Sequence, residues 1–392
     1  MNISTVDIWS RLKIKVSRFM GAGNSNGVMM FGEENDYPQI TEKLINNSVT
    51  AKSCARILAS FIVGNGFNSE VNKIVIGYDI TGKGVTVYEL LKRLAYDIAY
   101  NNGCYIHIGQ NAFGDIISLN RVPFKYCRFG KVDDLGYTST IHVYENWEKY
   151  SDFKRDRIRI YHIYSSNPKV FLKRVEEAGG IEKFKGQIDY FFNENNYLYP
   201  LSNIDSIFHD ADAEFGVSLL RDNIFRNGIS GKVIITVASM PSDAERQKII
   251  EKIKNLISAD GDPVLLLEEE IGANGELLKS VRIDKIDTNM TSEMYTDLDK
   301  VLAKRIRKAF YAIPPVLIDY EESKLGTTSG EALREAFNYY NNMTRELRTN
   351  FGEWIADYLQ ELQNPTLDAN NDWTINELSI DTDNINAQTN QQ

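Results

Sequence analysis

Apolar residues recur along this chain with two periods, and the period predicts the element. Residues 39–62 carry Ile40, Leu44, Ile45, Ala55, Ile57, Leu58 and Phe61 at helical spacing and end at Gly64-Asn65-Gly66, a stop-and-turn signal. Residues 86–102 predict a second helix, with Val87, Leu90, Leu91, Leu94, Ala95 and Ile98 on one face. Thr86 and Glu89 have capping-box spacing at its start, and Gly103 is the expected stop. Short strands are predicted at Cys104–Ile108, Ile116–Asn120 and Thr138–Tyr144. The first half therefore reads as a β-rich lobe with helices packed on one side.

The second half changes texture. Ile204, Ile207, Phe208, Ala211, Phe215, Leu219 and Ile224 predict one helix from Asn203 to Asn227, capped by Ser202 and closed by Gly228. A compact β-α-β-β unit follows: a strand at Lys232–Val237, a helix from the Ser242/Glu245 capping box to Ile257, a strand at Val264–Leu267, and a turn at Asn274-Gly275 into Leu277–Ile283. A further helix is predicted from Met290 to Ala312, stopped by Pro314-Pro315. After a loop with Gly326, Thr327 and Thr328, one long helix is predicted from Ser329 to Leu362, with Thr328 and Glu331 as its capping box. Leu333, Phe337, Tyr340, Leu347, Phe351, Trp354 and Tyr358 suit long helix–helix packing. From Asn364 the chain is rich in Asn, Asp, Gln and Thr, the composition of a tail that orders on contact, with Trp373, Ile375 and Leu378 able to anchor one strand.

Composition narrows the function. At 392 residues and 43% hydrophobic, the chain can bury a sizeable core and hold more than one domain. Its 54 acids against 44 bases give a net charge of -10, which argues against a tight nucleic-acid coat but not against a wall that DNA slides past. Cys54, Cys104 and Cys127 have no paired spacing, which predicts reduced thiols and assembly in a cytosol. No apolar run reaches the ~20 residues a membrane span needs, and the first residues lack a signal-peptide core.

Two patterns imitate catalytic motifs. Gly77-Tyr78-Asp79-Ile80-Thr81-Gly82-Lys83-Gly84 nearly matches a phosphate-binding loop, but Gly84 stands where the metal-binding hydroxyl belongs. Glu89 also places a carboxylate at the helix N-terminus where a phosphate would bind. The plain reading is a Gly-rich turn; a nucleotide hydrolase using Lys83 is the alternative. His107, His142, His162 and His209 have no metal spacing, and Cys104 and His107 should face opposite sides of a strand. No cofactor, metal or catalytic constellation is predicted, so the chain reads as a non-enzyme.

Local stretches resemble one family in order and spacing. Asn35-Asp36-Tyr37-Pro38, Ile45 to Ser48 and Phe61-Ile62-Val63-Gly64-Asn65-Gly66-Phe67 are similar to the N-terminal signature of the portal proteins of tailed bacteriophages. Tyr100 to Ile106, Val122-Pro123-Phe124 through Arg128-Phe129-Gly130, Asn227 to Gly231 and Ile313-Pro314-Pro315-Val316-Leu317 resemble later family stretches, so the likeness spans about residues 30–362. The resemblance implies an α+β portal fold: a mixed α/β wing at 1–201, stem helices at 202–228 and 287–313 flanking a small α/β clip at 229–286, a tunnel loop at 314–328, a C-terminal wing/crown helix at 329–363 and a polar tail at 364–392. It also implies a ring of about twelve subunits at one capsid vertex. Through that ring double-stranded DNA is packaged and ejected. The implied partners are the terminase packaging motor, the major capsid protein with its scaffold, and head–tail adaptors. The implied place is the virion, after assembly in the host cytoplasm. An adaptor ring is the structural alternative.

Within that frame one helix face carries candidate chemistry. Lys300, Lys304, Arg307 and Lys308 cluster opposite Leu298, Leu302, Ile306 and Ala309. Bases near a helix C-terminus also complement its dipole without any ligand. In a ring they would form stacked positive rings facing DNA, with Lys324 adding another from the tunnel loop. Pro314, Pro315 and Gly326 are the expected hinge of that loop.

Overall fold

The computed structural model describes residues 24–25, 27–32, 34–147, 157–193, 198–227, 232–238, 265–269, 282–286, 292–318, 329–364, 367 and 371–379. They fall into two compact units, one of Met1–Ala211 with Lys304–Gln392, the other Asp212–Ala303.

In the first unit, a two-residue ladder (β1, Asn24–Ser25; β2, Val28–Met29) precedes two helices, α1 (Tyr37–Asn47) and α2 (Val49–Val63). The periodicity predicts one helix here. Ser48 divides it because its backbone is extended (φ -91°, ψ 120°) and its hydroxyl caps α2 by accepting from Ala51 N–H at 2.9 Å, a cap worth ~1 kcal/mol. Strands β3 (Val75–Tyr78) and β4 (Gly84–Thr86) form a hairpin leading into α3 (Val87–Asn101). The Thr86/Glu89 capping box is present. Asn102, not Gly103, closes α3 in the left-handed region at φ 56°. Asparagine tolerates that region, which frees Gly103 to begin a strand.

That strand, β5 (Gly103–Gln110), joins a six-stranded sheet with β6 (Ile116–Val122), β7 (Cys127–Phe129), β8 (Thr140–Val143), β9 (Arg159–Ile163) and β10 (Gln187–Phe192), ordered β6-β5-β10-β9-β8-β7. Only the β9–β10 pair is parallel, and helix α4 (Pro168–Ala178) makes the crossover it needs. Alternation along β5 splits two cores. Cys104, Ile106 and Ile108 join α2 and α3, whereas Tyr105 joins Phe31, Phe129, Phe192 and Tyr199 on the other face. Cys104 and His107 do point apart, and His107 stacks edge-on against Tyr161.

Three turns share one construction. In Asp79–Lys83, Asn111–Asp115 and Asp133–Tyr137, the first side-chain oxygen accepts the N–H groups two and four residues on. Each has glycine fourth, at φ 82°, 92° and 87°, as a bulged hairpin turn requires. The phosphate-loop look-alike is the first of these turns. It links strand to strand, not strand to helix, so no helix N-terminus faces its backbone N–H groups. Lys83 is instead exposed, 4.0 Å from Glu89.

The C-terminal part of this unit is a pair of helices and a docked segment. The predicted single helix from 329 is two, Ser329–Met343 and Arg345–Glu361. Only buried Thr344 (φ -99°, ψ 1°) separates them, and the backbone bonds continue through it, Thr344 N–H to Tyr340 O at 3.1 Å and Arg348 N–H to Thr344 O at 2.9 Å. Part of the polar tail is packed: Ile375 is buried, Trp373 stacks edge-on with Phe67, and Asn376 pairs with Gly66. Gly64 and Gly66 permit this approach; a Cβ on Gly64 would lie 2.0 Å from Asn376 O. Arg348, 3% exposed, meets Glu377 of this segment at 2.9 Å.

In the second unit, β11 (Lys232–Ala238), β12 (Leu265–Glu269) and β13 (Arg282–Ile286) form a sheet ordered β12-β11-β13. The hairpin expected between the last two strands is therefore wrong: both flank β11, parallel and antiparallel respectively. Asn274, Gly275, the Ser242–Ile257 helix, Gly228 and Thr328 lie outside the described residues. The boundary between the units falls within two helices, α5 (Phe208–Asn227) and α6 (Ser292–Ala309). A 3-10 turn, Asn203–Ile207, occupies the predicted start of α5, with Ser202 as its cap. The last two helices are named α7 (Ser329–Met343) and α8 (Arg345–Glu361).

Candidate functional site

Helix α6 is amphipathic as its spacing predicts. Leu302 and Ile306 are buried, while Lys300, Lys304 and Lys308 are exposed and Arg307 is half-buried. Lys300 lies 3.8 Å from Asp297, one turn earlier. Lys304 and Lys308 form no ion pair among the described residues. Arg305, which the sequence reading passed over, lies 3.2 Å from Asp210 of α5. Arg221 pairs with Asp299. Polar contacts thus consume one side of α6 and leave the lysines at the four-residue spacing open to solvent. A ligand of opposite charge could use them only as exposed point charges, each worth about 1 kcal/mol or less.

Helix α6 ends three residues before the predicted Ala312. Ile313 N–H reaches back to Arg307 O at 3.2 Å and Ala312 N–H to Lys308 O at 3.3 Å, with Tyr311 and Ala312 at φ 57° and 52°. This left-handed closure absorbs the carbonyls of the last turn. Phe310 and Ile313 are buried, Tyr340 OH donates to Phe310 O at 3.0 Å, and Asn193 donates to Tyr311 OH at 2.7 Å. Pro314 and Pro315 therefore follow a firmly anchored turn, Pro315 starting a 3-10 helix to Leu317. Lys324 and Gly326 lie outside the described residues.

The family-like stretches converge elsewhere, around a buried cation. Arg128 is fully buried, and burial lowers its pKa to about 10, so it stays charged at neutral pH. Its Nε donates to Asn35 Oδ1 and its Nη2 to Asn35 O, both at 2.6 Å; Nη1 donates to Cys127 O at 2.7 Å. Its plane lies over Trp147, 5.4 Å from the ring centre. Asn35 is left-handed (φ 59°) and also accepts from Phe31 N–H at 2.9 Å. Two residues on, Tyr37 OH donates to Asp205 and accepts from Ser202 N–H, both at 3.1 Å. Asn102 donates to Leu201 O at 2.8 Å and Asn203 Oδ1 at 3.0 Å. These residues fix the point where the sheet hands the chain to α5. Their chemistry is structural: Arg128, Tyr37 and Ser202 are tied into one network, while Asn35 Nδ2, Asn102 Oδ1 and Asn203 Nδ2 are buried without a partner among the described residues. Among the described residues no group of His, Cys, Asp and Glu is arranged to hold a metal, and the three cysteines are buried singly. No described helix is long and apolar enough to cross a membrane.

No protein-family profile and no curated protein matches the chain. Solved structures do. A chain in the neck of a native gene transfer agent particle, determined with C12 symmetry, is similar in fold, with 13% identity over 90% of this chain and 87% of that one and a TM-score of 0.50. The virion of the native gene transfer agent particle contains a chain with 13% identity, 90% and 86% coverage and a TM-score of 0.49. An HK97-family phage portal protein from Corynebacterium diphtheriae gives 9% identity, 76% and 84% coverage and a TM-score of 0.40. At such identities the neck chain establishes a shared mixed helix-and-sheet fold. Structural neighbours of this chain thus include chains of gene transfer agent particles and a phage portal protein.

Proposed function

We propose that this chain is a portal subunit, a structural protein that closes into a ring around a DNA channel and catalyses nothing. The observation that carries the reading is the fold shared with the C12 neck chain, which runs over 90% of this chain and 87% of the other and so spans the architecture, not one module. The order of the family-like stretches supports the same reading.

In this proposal residues 1–201 and 329–363 form wing and crown, 202–228 and 287–313 the stem, 229–286 the clip and 314–328 the tunnel loop. The clip meets the terminase motor during packaging and head–tail adaptors afterwards, and capsid protein and scaffold surround the wing. Lys300, Lys304, Arg307, Lys308 and Lys324 face double-stranded DNA, and Pro314, Pro315 and Gly326 hinge the tunnel loop. Basic rings in a chain of net charge -10 centre a duplex without gripping it, because retention by counterion release grows with each phosphate neutralised. The ring works in the virion after assembly in the host cytoplasm and needs no cofactor.

Electron microscopy and native mass spectrometry of the purified protein test this. The expected result is a closed ring with a central hole, of about twelve copies. A protein that stays monomeric at micromolar concentration refutes it.

A further inference from the structure

The β5–β6 hairpin carries a knob at one end and contributes to a hole at the other. At the knob, the Asn111–Asp115 turn presents Phe113 88% exposed. The tip is braced: Asn111 Oδ1 accepts from Phe113 N–H at 2.8 Å and Asp115 N–H at 3.0 Å, and Asp115 accepts from Gln363 at 2.7 Å.

At the other end, β6 runs into a cleft of about 490 Å³ walled by Tyr96, Tyr100, Pro123 and Tyr126. Asn101 lines it, 7% exposed. Its Nδ2 donates to Asp97 O at 3.3 Å, while its Oδ1 accepts from nothing among the described residues. Neighbouring cations cannot serve it, because Arg121 is committed to Asp97 by two bonds of 2.6 Å and Lys125 to Glu42 at 2.9 Å. Those two ion pairs are neutral overall. Arg93, also in the wall, forms no ion pair among the described residues, so the cleft is formally +1.

We propose that in the assembled ring the Phe113 tip of one subunit seats in the Tyr96–Tyr126 cleft of the next copy. Asp115 then faces Arg93. The inference rests on the ring reading and adds the residues of its seam. Charge pairs one end with the other, the Asp115 carboxylate with the +1 cleft. The strand between them spans seven residues, roughly 24 Å, so a tip cannot reach its own cleft. Two different patches at opposite ends make a head-to-tail contact, the type that closes rings.

The test is cross-linking of the full chain. Phe113→Cys combined with Tyr96→Cys, mildly oxidised with oxidised glutathione, is expected to give a ladder of disulfide-linked multimers up to the ring number. Either single variant is expected to give none, since Cys54, Cys104 and Cys127 are buried. In parallel, Phe113→Ala is expected to raise the concentration at which rings form on the order of 30-fold, as for a buried aromatic anchor. Leu135→Ala, at another exposed turn, leaves it unchanged. Wild-type rings with no ladder and an unaffected Phe113→Ala overturn the seam and leave the ring reading intact. Cross-linked dimers of Phe113→Cys alone, which mean tip-to-tip contact, also overturn it. A wild type that stays monomeric overturns both.

Discussion

Asn35→Ala removes the acceptor that holds a buried charge, and its cost follows from the geometry. The Arg128 Nε bond of 2.6 Å is lost, and a hydrogen bond to a charged group contributes about 1.5–3 kcal/mol. Phe31 N–H, bonded to the same oxygen at 2.9 Å, is stranded in the core at a further 1–3 kcal/mol or so. Alanine at φ 59° adds about 1 kcal/mol of backbone strain. One gain offsets these: Asn35 Nδ2 is buried without a partner among the described residues, and its removal returns about 1 kcal/mol. The net expectation is a loss of about 4 kcal/mol. Urea unfolding followed by tryptophan fluorescence measures it, because Trp147 is buried beside the guanidinium. Two companions test the parts. Asn35→Gly should recover about 1 kcal/mol, since glycine adopts the left-handed region freely. Asn35→Asp keeps the acceptor, replaces the orphan donor and adds a charge opposite Arg128. Arg128 would depress that new carboxyl below its unfolded value, so the added stability is present at neutral pH and lost as pH falls through the folded pKa. An Asn35→Ala protein within about 1 kcal/mol of wild type, or an Asn35→Asp protein as weak as it, refutes the reasoning.

Other consequences are as direct. Gly64→Ala drives a Cβ into Asn376 O and should release the 371–379 segment; deuterium uptake at the Asn376 amide is expected to rise, and unchanged protection would contradict the docking described. Burial lowers the pKa of His107, His142 and His162 from the ordinary 6.5, so the folded state binds fewer protons than the unfolded chain. Their contribution is therefore intact above the unfolded pKa and declines as pH falls from 6.5 to the folded values. His142→Gln should flatten the fall in melting temperature between about pH 7 and 5, and an identical pH profile would exclude His142 as a source. Replacing both Lys300 and Lys304 by alanine should leave rings intact and make packaging or retention of DNA less sensitive to salt; unchanged salt dependence favours the helix-dipole role for these bases.

Elements set by local chemistry were legible in the chain itself. Helix α3 follows from its apolar stripe and from Thr86 and Glu89, whose reciprocal cap needs only neighbours three residues apart. The amphipathic α6 was equally plain, with Leu302 and Ile306 inward and Lys300, Lys304 and Lys308 outward, because one 3.6-residue period records one buried side. Breaks and partnerships were not legible. Ser48 interrupts a good helical period through its own hydroxyl, and serine is tolerated inside a helix until tertiary packing selects the alternative bond. The placing of β11 between β12 and β13 depends on long-range pairing that a turn signal cannot report. Asn35 and Arg128 lie 93 residues apart; nothing in the local pattern of either marks a buried ion. Gly64 announces a turn in sequence, but that it makes room for the backbone of Asn376 is decided only when the chain returns 312 residues later. Local periodicity carries information about which side of an element is buried, and the identity of what buries it resides in the fold.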